Sequence, residues 1–147
     1  MKNNKLYNVL FPIWLLLIFP AVWLIVIPGN FIIDSLVLII SMYLLKMHSK
    51  KIFYKRHILK IFIFGLLADV IGSAFLFLMC YVVELGTVGD ELYLTIPGVL
   101  MSALMIFLFN YFFTFRKISK KNRILFSLIF AVVTAPYTFL IPTSWLY

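Results

Sequence analysis

Charge, cysteine and any signature of soluble chemistry are scarce in this sequence, and each shortage excludes something. Of the 147 residues only 12% are Asp, Glu, Lys or Arg, and five of these are acidic. A water-soluble domain carries roughly 25% charged and roughly 45–50% apolar residues. Here 65% are hydrophobic and the mean hydropathy is +1.11, so too few polar side chains remain to cover a water-facing surface. Disorder is excluded as well, because it needs low hydrophobicity and high charge. The one cysteine, Cys80, forms neither an internal disulfide nor a cysteine-rich zinc site. His48 and His57 lie within a basic stretch with no carboxylate or thiol beside them, and are expected to be solvated rather than metal-bound. No nucleotide loop, zinc-protease helix or Ser-His-Asp pattern occurs. Neither an enzyme nor a cofactor is expected.

What is abundant is apolar length. A membrane-crossing helix needs about 20 mostly apolar residues. The run from Val9 to Leu45 is too long for one crossing and about right for two, and it is broken by Pro28-Gly29-Asn30, a strong turn signal. The expectation is therefore an all-α integral membrane protein, a single polytopic domain over 1–147 with helices at about 8–27, 31–46, 61–85, 93–115 and 124–142. The first two form a tight hairpin, and Pro136 interrupts the last. Lys2 and Lys5 before an apolar run resemble a signal peptide, but the run exceeds the usual length of about 7–15 residues and lacks a small-residue cleavage site. No cleavage is expected.

Charge placement supports the count. The 13 Lys and Arg fall at Lys2 and Lys5, in 46–60 and in 116–123, whereas Glu84, Asp90 and Glu91 lie between helices three and four. Five crossings put all three basic segments on one side. Short basic loops stay cytoplasmic, which places the N-terminus inside and the C-terminus outside, in a cell membrane of bacterial type. The cations Lys50, Lys51, Lys55, Arg56, Arg116 and Lys117 are expected to contact anionic lipid headgroups rather than nucleic acid.

Ionisable groups at membrane depth are expensive and mark functional candidates. On the expected boundaries, Asp34 sits near the start of helix two and reads as an N-cap. Asp69 lies about 12 Å into helix three and is the candidate for proton or polar-cargo binding, the two acids being separated in depth by roughly 13 Å. Asn110 and Thr134 fall near its level, so Asp69, Asn110 and Thr134 form a candidate polar cluster. Gly65, Gly72 and Ser73 share a face with Asp69. With Gly98 and Ser102 on helix four, they are candidates for close helix packing.

The run from Phe109 to Lys117, FNYFFTFRK, is aromatic helix leading into a basic loop. It resembles a segment at a cytoplasmic helix end in GtrA-like proteins, small bacterial membrane proteins implicated in flipping lipid-linked sugars. That family carries the segment after the second of four helices, whereas here it follows the fourth of five. The leading functional expectation is a non-enzymatic subunit or scaffold of a membrane complex, with membrane lipids and other subunits or self as partners. The second is a small oligomeric transporter or lipid flippase that uses Asp69.

Overall fold

In hydrocarbon a spanning segment must satisfy its own backbone N–H and C=O groups, which favours helices over open strands. The computed structural model describes residues 20–84 and 91–137, and every regular element among them is helical. Helix α1 spans Pro20–Leu44, α2 Lys50–Glu84 and α3 Glu91–Phe109. A π-helical turn, Asn110–Thr114, continues α3, and α4 spans Lys120–Val133. Three segments are long and apolar enough to cross a membrane: Trp23–Leu44, Lys50–Met79 and Thr95–Thr114. Lys2, Lys5, Trp14, Asp90, Trp145, residues 8–19 of the expected first helix and residues 138–142 of the expected fifth lie outside the described residues.

The expected hairpin is corrected. Pro28 lies inside α1, which continues through Gly29 and Asn30 without a turn. Proline costs a helix one backbone bond and some crowding. In an apolar medium a turn costs more, because it strands several backbone groups where no water can reach them. Asp34 is therefore mid-helix and not a cap, and the count of five crossings loses the turn on which it rested.

Two other boundaries move. The basic stretch expected as a loop before Ile61 is already helical from Lys50. Lys and Arg are good helix formers, with long stems that carry their charge toward a polar boundary. At 1.5 Å per residue α2 is about 52 Å long, well beyond a hydrocarbon core of about 30 Å. At the other end of the chain, α4 begins at Lys120 and stops at Val133. Pro136 terminates it, since a residue preceding proline is pushed out of the helical region.

Between α1 and α2 the chain reverses over residues 45–49. Met47 N–H donates to the Met42 carbonyl at 3.0 Å and Lys46 N–H to the Tyr43 carbonyl at 3.2 Å. That is the paired bonding of a Schellman cap, and Lys46 takes the left-handed conformation (φ 48°) usually filled by glycine. Helix α2 packs most extensively on α3, while α1 lies against α2 and α4 closes on α3. At the basic end the core is aromatic. Phe115 lies 4.9 Å from Phe126 and 6.1 Å from Phe130, and Phe53 lies 5.5 Å from Phe126. His57 is buried there, its ring 4.1 Å from that of Phe53. The expectation that it is solvated is overturned: its Nδ1 donates to the Phe53 carbonyl at 2.8 Å, satisfying the imidazole inside the core.

Candidate functional site

Asp69 sits on the stretch of α2 that touches both α1 and α3. Its Oδ2 accepts from Asn30 Nδ2 of α1 at 3.3 Å, and its Oδ1 accepts from Ser102 Oγ of α3 at 3.1 Å. The same Ser102 hydroxyl lies 3.1 Å from the Ala68 carbonyl, so one hydrogen is shared between two acceptors. A single carboxylate thus joins three helices. Such interhelical bonds are worth about 0.6 kcal/mol on average in a membrane and up to about 1.7.

Asp34 faces this seam from α1. It is buried, its Oδ2 stands 3.5 Å from where a Cβ on Gly65 would project, and it lies within electrostatic reach of Asp69. Asn30 and Asp34 are one turn apart, about 6 Å along the axis, and meet Asp69 and Gly65 in antiparallel order. The two acids are therefore close in depth, and the expected separation of roughly 13 Å disappears with the hairpin. Among the described residues no hydrogen bond reaches the Asp34 carboxylate. A second polar tie between α1 and α2, Ser35 to Tyr54 at 2.9 Å, lies nearer the basic end.

Small residues let these helices close up. A Cβ on Gly72 would come within 2.9 Å of Ser102 Cβ and 3.3 Å of the Gly98 carbonyl. A Cβ on Gly98 would overlap the branched end of Leu76, which is fully buried. Gly72, Gly98 and Ser102 therefore meet at the α2–α3 contact, while Gly65 turns toward α1. The Ser73 hydroxyl stays on its own helix, donating to the Asp69 carbonyl at 2.8 Å.

Asn110 and Thr134, expected beside Asp69, make no hydrogen bond to it. Asn110 is buried in the π turn, two turns beyond Ser102 or about 12 Å along the axis, and its amide has no hydrogen-bond partner. Thr134 donates to the Phe130 carbonyl at 2.8 Å and caps the end of α4. The partner that sequence reasoning missed is Asn30. Its signal was a polar amide four residues before Asp34 on one helix face, hidden by the assignment of Pro28-Gly29-Asn30 to a turn.

The expected headgroup cations divide into two groups. Lys50 packs its ammonium over the Tyr43 ring at 3.5 Å, and Lys51 and Lys55 are exposed. Arg56, Arg116 and Lys117 instead converge on one cavity at the basic end of the bundle. The basic segments before Lys60 and after Thr114 thus share one end of the molecule. Comparison with protein-family models, curated proteins and solved structures finds no match to the chain.

Proposed function

We propose that the chain is a non-enzymatic subunit or scaffold of a complex in a bacterial cytoplasmic membrane, with its basic end on the cytoplasmic side. The closed seam carries this reading. Asp69 commits both oxygens to neighbouring helices, and α2 and α3 approach so closely at Gly72, Gly98 and Ser102 that they leave no width for a pathway between them. Leu24, Ile32, Leu36 and Ile40 of α1 are exposed, and they offer apolar faces to lipid, to a second copy or to another subunit. The cations of 46–60 and 116–123 face the anionic leaflet, where each gains about 1 kcal/mol. Orientation follows from the retention of Lys- and Arg-rich loops inside.

The test is purification in mild detergent followed by identification of co-eluting chains. The scaffold reading expects a stoichiometric partner that Asp69→Asn retains and Asp69→Leu loses, because Asn preserves hydrogen bonding to Ser102 and Asn30. A wild-type chain that elutes without any second polypeptide overturns it. One observation favours a second reading, a small oligomeric transporter: Asp34 is a buried carboxylate facing Asp69 with no hydrogen bond of its own. That reading expects pH-dependent flux in proteoliposomes of the purified chain, abolished by Asp69→Asn, and is refuted by flux equal to that of empty liposomes.

A further inference from the structure

The cavity at the basic end, about 470 Å³, lies between α2 and the connection from α3 to α4. Arg56 and Lys60 line it from α2, and Arg116 and Lys117 from the connection, with His57 and Thr114 between them. All five acidic residues of the chain lie outside 46–60 and 116–123, so no carboxylate of these segments offsets the four cations that line the cavity. A concave surface of one sign concentrates the opposite charge.

The cavity is also built from beneath. Thr114 is 3% exposed, and its hydroxyl is buried without a partner. An orphaned buried hydroxyl carries a desolvation cost that a ligand acceptor would recover. His57 has Nδ1 committed to a carbonyl, which accepts only, so its other ring nitrogen remains for a ligand. The π turn that buries Asn110 and Thr114 together is a local distortion of the kind often kept at functional sites. Two guanidinium forks, two ammonium groups and a hydroxyl suit the oxygens of a phosphate. Phe113, 58% exposed, also lines the cavity and supplies an apolar edge beside the cations.

We propose that this cavity binds one phosphate group, carried by a lipid headgroup or by a soluble phosphate. Arg56, Lys60, Arg116 and Lys117 supply the charge, and Thr114 donates a hydrogen bond. This goes beyond diffuse headgroup contact and uses none of the seam residues, so its failure and that of the scaffold reading are separable.

The experiment uses the full chain in nanodiscs containing equal amounts of phosphatidic acid and phosphatidylcholine, with retained lipid counted by native mass spectrometry. One phosphatidic acid per chain is expected. Lys60→Gln with Arg116→Gln should lower retention at least tenfold. Thr114→Val should lower it about tenfold while leaving the melting temperature equal or higher, since it removes an unpaired hydroxyl. Lys120→Gln with Lys121→Gln removes the same charge outside the cavity and should leave retention unchanged. Titration with inorganic phosphate identifies the source. Retention that inorganic phosphate does not displace assigns the lipid headgroup, whereas binding of inorganic phosphate in nanodiscs of phosphatidylcholine alone assigns a soluble phosphate. The proposal is overturned if neither ligand binds, or if both paired substitutions weaken binding equally.

Discussion

Asp69 illustrates how much a single side chain contributes when its surroundings are apolar. Replacing it with Leu would leave the Asn30 amide without its acceptor and the Ser102 hydroxyl with the Ala68 carbonyl alone. The expected loss is about 1–2 kcal/mol, whereas Asn, which keeps an acceptor oxygen, should stay within about 0.5 kcal/mol of wild type. Unfolding by a denaturing detergent, followed by helical circular dichroism, measures both; equal stability of the two variants would refute the three-helix tie. Lys46 offers an opposite case. It occupies a left-handed conformation (φ 48°) that costs a side-chain-bearing residue roughly 1–2 kcal/mol. Lys46→Gly should therefore raise stability by about 1 kcal/mol, detected as a later unfolding midpoint in the same assay. Asp69 stood out in the sequence because an acid within an apolar run is visible by itself. Its partners did not: hydrogen bonding depends on how each helix is rotated, and apolar residues surround α1 and α2 too evenly to fix that rotation. His57 escaped for a related reason, since its burial comes from Phe53 and from Phe115, distant in sequence.

Among the elements, α1 shows where a local rule fails. Pro-Gly-Asn marks a turn where water can take over the freed backbone groups, and in α1 it is part of a helix. The two alternatives predict opposite signs for Gly29→Ala. No glycine among the described residues has positive φ, and a Cβ at Gly29 would meet nothing within 4 Å. Alanine should accordingly stabilise the helix by about 0.5–1 kcal/mol, and a loss of stability would restore the turn. The α2–α3 contact behaves in the reverse way. Gly98→Ala forces a methyl group into Leu76, which is fully buried and has nowhere to move. Overpacking of this kind costs about 1–3 kcal/mol, and Leu76→Ala in the same chain should recover part of it, because contacting sites are not additive. Gly72, Gly98 and Ser102 were named from small size and shared face, and they meet at the α2–α3 contact, whereas Ser73, named with them, bonds within its own helix. The division of Gly65 and Gly72 between α1 and α3 was not legible, because the two are seven residues apart and the face they share is wide enough to meet two neighbours.

At the scale of the whole molecule, charge organises what apolar patterning leaves open. The helices carry apolar residues on nearly every face, so hydrophobicity says that they are long and immersed but says little about direction. The cations provide the direction. Those of 46–60 and 116–123 gather at one end, where Arg56 and Lys60 meet Arg116 and Lys117 across a shared cavity, and the proposed orientation puts the α1–α2 and α3–α4 connections on one side of the bilayer. The five acidic residues are all elsewhere, so the asymmetry survives the loss of the hairpin and does not depend on counting crossings. With the native cysteine replaced by serine, His48→Cys and Ser119→Cys place one thiol in each connection, both at exposed positions. Ser119 precedes α4 without a side-chain cap, so its replacement removes no hydrogen bond from the helix start. A membrane-impermeant maleimide should label both in inverted vesicles and neither in intact cells. Labelling of both from outside would reverse the orientation and leave the bundle intact. Labelling from opposite sides would separate the two halves of the cavity and refute the helical packing itself.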